Sequence, residues 1–243
     1  MDAKQDILDR LKSELLCWQG YKPVETAISA RIGLGEIEDA FPLKVFPRKA
    51  IHEFICVSPD SAAATDGFIA GLLSAFMPEG GACIWIGTKR RLFPSSLAGF
   101  GVAVDQIIFI DVKKEIEVLW VMEEALRCEG LGVVVAEVDG LNLVESRRLQ
   151  LAVEQGGIPG LVIRKDPRRM TSNVATARWK ITPLPSEDDE GMPGVGFPRW
   201  LIELLKVRNG NPGTWVLEWQ GDKFEQILKP EESKISMQFK NFG

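Results

Sequence analysis

The chain has 243 residues, 45% of them apolar and 26% charged, and a net charge of −5. This length fits one large α/β domain with extensions or two small domains, with the composition of an ordinary globular protein. The acidic balance excludes a global field that would draw the chain onto nucleic acid or anionic lipid, and the longest apolar stretch, residues 67–77, is too short to span a bilayer.

Residues 4–19 set Ile7, Leu8, Leu11 and Leu15 at helical spacing among charges, which predicts an amphipathic helix. Its apolar face suits packing on the parent domain and docking on a partner equally. Residues 20–42 carry Gly33, Gly35 and Pro42 and read as irregular, so residues 1–40 form an arm and linker. Strands and helices then alternate. Strands are predicted at Ile51–Val57, Ala82–Gly87, Gln106–Ile110, Leu131–Val138, Gly160–Arg164 and Ala175–Thr182. Helices are predicted at Thr65–Met77, from Pro94, at Lys114–Arg127, and from an Asn142/Glu145 capping pair to Gln155. The almost unbroken apolar run at 131–138 suits a strand covered on both faces. Together these predict an α/β core over residues 41–183, a mostly parallel sheet with helices on both faces. Residues 184–243 hold an acidic loop, a hairpin of Arg199–Arg208 and Thr214–Gln220 around Asn209-Gly210-Asn211-Pro212-Gly213, and a weakly patterned tail.

Met1-Asp2-Ala3-Lys4 opens a mixed-charge segment without a secretory apolar core, and Cys17, Cys56, Cys83 and Cys128 are scattered singly. Both features predict buried thiols in a reducing cytoplasm.

One segment carries chemistry by what it lacks. Ser58-Pro59-Asp60-Ser61-Ala62-Ala63-Ala64-Thr65 lies between an apolar strand and an apolar helix, the setting of a phosphate-binding G-x-x-x-x-G-K-[ST] loop. Ser58 stands at the first glycine, Ala63 at the second and Ala64 at the lysine; Thr65 alone fits. Alanine supplies no charge to a phosphate, and three alanines favour an earlier helix start. No nucleotide, metal or other cofactor is expected. His52 is the sole histidine, and no G-x-S-x-G, C-x-x-C or H-E-x-x-H pattern occurs. Glu115, Glu117, Glu123 and Glu124 read as solvated helix faces. Against the acidic balance, residues 164–180 gather Arg164, Lys165, Arg168, Arg169, Arg178 and Lys180 with only Asp166. Such a cluster after a strand of a parallel sheet can contact single-stranded DNA phosphates or an acidic protein.

The order of elements resembles the RecA-type core. The loop keeps that family's proline, acidic residue, serine and threonine, while Lys89 stands where the family's water-activating glutamate is expected and Glu137 near its metal-associated aspartate. The resemblance implies a pseudo-ATPase. Within RecA-like proteins the chain is most similar to the ImuA family. Leu119 to Cys128, Glu145 to Ala152, Arg178-Trp179-Lys180-Ile181, Pro198-Arg199-Trp200 and Pro212 to Trp219 carry the likeness. It implies a cytoplasmic, non-catalytic accessory of bacterial SOS mutagenesis and translesion synthesis. Its implied partners are ImuB, an error-prone DNA polymerase and RecA, with weak single-stranded DNA binding and self-association as further implications. The first helix is the expected contact for RecA or a second copy, and the tail for ImuB. The alternative is a SulA-like division inhibitor that binds FtsZ.

Overall fold

The computed structural model describes residue 11 and residues 31–77, 81–165, 172–186 and 196–227. Ile7, Leu8 and Leu15 of the arm, Arg168 and Arg169 of the basic cluster, Cys17, the acidic run at 187–190 and the tail beyond 227 lie outside these. Leu11 is helical and half exposed. The strands are β1 (Ile51–Ile55), β2 (Ala82–Gly87), β3 (Ile107–Asp111), β4 (Leu131–Val138), β5 (Gly160–Arg164), β6 (Ala177–Leu184), β7 (Arg199–Val207), β8 (Gly213–Gln220) and β9 (Lys223–Ile227). The α-helices are α1 (Pro59–Phe76), the single turn α2 (Pro94–Leu97), α3 (Glu115–Ala125) and α4 (Leu143–Gly156).

The nine strands among the described residues form one sheet in the order β3-β2-β4-β5-β1-β6-β7-β8-β9. The pairs from β3 to β6 are parallel, and those from β6 to β9 antiparallel. Successive residues of a strand face opposite sides, so each central strand feeds two cores. Val133, Val135, Leu161 and Ile163 face α1; Val134, Ala136 and Val162 face α3 and α4. This double coverage explains the continuous apolar runs in β4 and β5. The Asn142 capping box forms as its sequence predicts: Asn142 Oδ1 accepts from Glu145 N, and Glu145 Oε2 from Asn142 N, both at 2.9 Å. Gly157, at φ 74°, closes α4 in the left-handed region that glycine tolerates best.

Three features differ from the sequence expectation. The hairpin of β7 and β8 extends the core sheet rather than standing apart, since β6 pairs with β7 from Ala177 to Leu184. The tail begins with a ninth strand, whose Phe224 packs on Trp219 with ring centroids 4.9 Å apart. A side chain at Gly71 would collide with both rings, so this glycine lets α1 approach the last two strands. Finally, residues 31–46 are not a loose link. Ile32, Leu34, Ile37, Ala40, Phe41 and Phe46 are buried in the first core, and the fully buried Glu38 carboxylate accepts from the amides of Ile32 and Leu34 at 3.2 and 3.0 Å. Of the thiols described, Cys56 and Cys83 are buried as expected, whereas Cys128 is exposed at the end of the α3 turn. No described helix is long and apolar enough to cross a membrane.

Candidate functional site

In a parallel sheet of this kind, ligands bind beyond the carboxyl ends of the strands. There the β1–α1 connection is a helix start rather than a wrapped loop. The helix begins at Pro59, six residues before the sequence expectation of Thr65. Pro59 occupies the first turn, where its missing N–H costs nothing. Ser58 caps it: Ser58 Oγ accepts from Ser61 N at 3.1 Å. Ser61 Oγ accepts in return from the amides of Val57 and Ser58 at 2.8 and 3.0 Å. These amide donors are therefore spent inside the protein. Thr65, fully buried, donates through Oγ1 to Ser61 O at 2.7 Å and accepts from Cys56 Sγ at 3.6 Å. Ala62 and Ala64 pack toward the core, while Ala63 faces solvent and Asp60 puts a carboxylate in the first turn.

Next to this start, Glu137 lies at the end of β4 as its sequence position suggests. It accepts from Trp85 Nε1 at 3.0 Å and meets Lys165 Nζ at 3.5 Å, so it is anchored on both oxygens. Lys89, Arg90 and Arg91 are exposed after β2, and Arg90 pairs with Asp111 at 2.7 Å. Asp66, one turn into α1, was not singled out by sequence. Burial first, and the Glu137 carboxylate second, push its carboxyl up to about 7. The folded protein thus holds a proton that the unfolded chain releases near pH 4. This proton favours folding at low pH, and the advantage fades as pH rises from about 4 to 7. Asp66→Asn should therefore melt at a higher temperature than wild type at pH 8, with the two curves converging near pH 4. Parallel melts at both ends would detect a missing convergence.

The basic cluster divides. Arg164, expected at a binding surface, is fully buried, with its Nη1 2.7 Å from Glu53 Oε1; Glu53 is fully buried too. Arg178 donates from Nε to Glu53 Oε2 at 2.6 Å and its side chain is 14% exposed. Both arginines thus direct a guanidinium group at one carboxylate inside the sheet. Lys180 pairs with Glu203 at 2.6 Å. Lys165, the residue after β5, faces Glu137. Glu53 was invisible as a partner because its counter-ions lie on β5 and β6, more than a hundred residues away along the chain. On α3, Glu123 is likewise not a solvated face, because Arg127 and Arg148 hold both of its oxygens, at 2.6 and 2.7 Å.

His52 has a structural setting. It stacks on Phe46 with centroids 4.3 Å apart, and Nε2 donates to Pro47 O at 2.8 Å. Nδ1 is thereby left to accept from Trp179 Nε1 at 3.4 Å. Burial pulls its pKa down to about 4, so the ring is neutral near pH 7. Among the described residues no group of three or more His, Cys, Asp or Glu side chains could hold a metal ion.

No family model matches the chain. It is similar to Protein ImuA of two Caulobacter vibrioides strains, 32% identical over 200 residues that cover 77% of this chain and 82% of each relative. Its fold is also that of the RadB recombinase crystal structure, with a TM-score of 0.57 at 13% identity, covering 82% of this chain and all of the recombinase chain.

Proposed function

The chain belongs to the ImuA family, and on that footing we propose that it is a non-catalytic, RecA-like accessory of SOS mutagenesis, acting with ImuB and an error-prone DNA polymerase. The membership supports an SOS-mutagenesis protein of RecA-like fold. The observation that carries the non-catalytic part is the capped start of α1. A phosphate-binding loop needs free amide donors and a lysine, each charge-assisted bond contributing about 1.5–3 kcal/mol. Here Ser58 and Ser61 consume the amides of residues 57, 58 and 61, Ala64 offers no cation, and Asp60 repels an anion. Thr65 spends its hydroxyl proton on Ser61 O inside the helix. A scaffold that cannot switch with nucleotide must act through standing surfaces.

Two measurements test this reading. Calorimetric titration of the full chain with Mg·ATP should give no heat of binding beyond dilution, and immobilised ImuB should retain the chain with or without nucleotide. Micromolar ATP binding that Glu137→Gln abolishes would make the protein a nucleotide-dependent one. Failure to retain it on ImuB under either condition would remove the role with ImuB.

A further inference from the structure

Apolar side chains concentrate on the outer surface of α3 and α4. Eleven large apolar side chains stand exposed among the described residues, and five of them, Ile116, Trp120, Leu143, Val144 and Leu151, lie on these two helices. Ile116 and Trp120 sit one helical turn apart on α3 and are 64% and 61% exposed. Beside them runs a crevice between the helices, lined at its floor by the buried Leu119, Leu141 and Leu149, with two adjoining hollows of about 300 and 320 Å³. Large side chains at i and i+4 next to a crevice make one patch, and a contiguous apolar patch with a polar rim marks a docking surface.

The rim is negative. Glu115, Glu117, Glu123 and Glu145 line the crevice against Arg148 alone, four carboxylates to one guanidinium, a formal charge of −3. The amino ends of α3 and α4 return about half a positive unit each, which leaves roughly −2. Arg148 is already paired, 2.7 Å from Glu123 Oε2. The other three carboxylates accept from backbone amides: Glu115 from Asp139 and Gly140, Glu117 from Lys113 and Lys114, Glu145 from Asn142. These bonds hold the charges in place around the apolar floor.

We propose that this crevice is the docking site for an amphipathic, cationic α-helix of another protein. The apolar floor calls for an apolar stripe, and the carboxylates favour Lys or Arg beside that stripe and disfavour an acidic helix. The walls select a helix over a strand. They are themselves helices, whose backbone groups are paired internally, so an extended segment finds no ladder to join, whereas a helix satisfies its own backbone. The lined stretch of α3 runs from Glu115 to Glu123. At 1.5 Å per residue it is about 12 Å long, so the occupant makes contact over roughly two turns, with apolar residues at i, i+3 or i+4, and i+7.

Phage display against the full chain tests this, with a library of helices about 15 residues long that carry Leu, Ile, Met or Phe on one stripe and Lys or Glu at random beside it. Binders enriched on the wild type should carry Lys at most of the random positions. In fluorescence anisotropy the best binder, as a labelled peptide, should occupy one site per chain. Ile116→Ser with Trp120→Ser should weaken it at least about tenfold while the thermal transition stays in place. Glu117→Gln with Glu145→Gln keeps an acceptor for each capped amide and should weaken it about threefold to tenfold, most at low salt. No enrichment, enrichment of Glu beside the stripe, or binding unchanged by the Ile116 and Trp120 substitutions would each overturn the proposal. So would a wild-type dimer in sedimentation that those substitutions convert to monomer, which would assign the crevice to a second copy. Neither ATP nor ImuB enters the measurement, so its failure is separate from failure of the functional assignment above.

Discussion

Glu53→Ala is expected to destabilise the fold by about 3–5 kcal/mol, the usual cost of removing one member of a buried ion pair. For a domain of this size that is a fall of roughly 6–20 °C in the thermal midpoint. Glu53 and Arg164 are both fully buried, and Arg178 holds the second carboxylate oxygen. Without the carboxylate, two guanidinium groups face each other in a medium that solvates charge poorly. The loss comes from removing a buried counter-charge, not from the pair's net worth, and this distinction can be measured. Replacing all three together by apolar residues (Glu53→Met, Arg164→Leu, Arg178→Met) should recover most of the stability, because desolvation is then no longer opposed. Denaturant melts of the single and triple variants decide it. A single variant within about 1 kcal/mol of wild type would mean the triad is not the electrostatic centre that its geometry indicates.

Trp179→Ala should cost a similar amount, about 3–5 kcal/mol, by leaving a large cavity. Trp179 is fully buried on β6 and lies among Phe41, Phe46, His52, Phe54 and Phe68, with ring centroids 5.8–6.3 Å away. These rings come from the segment before β1, from β1 itself and from α1, so one side chain joins three parts of the chain to the sheet. Its indole N–H also satisfies His52 Nδ1. Trp179→Phe keeps most of the ring volume and loses this hydrogen bond with only part of the packing, so it should retain more than half of the stability lost by the alanine variant. Equal losses in the two variants would locate the effect in the hydrogen bond instead of packing.

The two arguments share a feature that separates sequence from tertiary structure. Period and punctuation determined the local elements. The alternating runs gave the six parallel strands within a few residues, and Asn142 with Glu145 marked a helix start that the structure reproduces. The residue types of the β1–α1 connection, Ala63 and Ala64 among them, were legible directly, because they follow one another in a short local stretch. Ala62-Ala63-Ala64 also indicated that α1 could begin early, and it begins at Pro59.

What sequence could not decide were the pairings made across the sheet. Arg164 read as part of a surface cluster because its neighbours in the chain are basic; its neighbour in space is Glu53, 111 residues away. Phe224 read as one aromatic in a weak tail, yet it fills the space that Gly71 leaves on α1. Residues 20–42 read as a link because Gly33, Gly35 and Pro42 break local periodicity, although the apolar side chains described from Ile32 to Phe46 close the first core. In each case a charge or an apolar side chain acquires its role from a partner brought close only by strand order. Local patterning carries the preference of each residue for strand, helix or turn, but the burial of a charge is settled by which strands become neighbours.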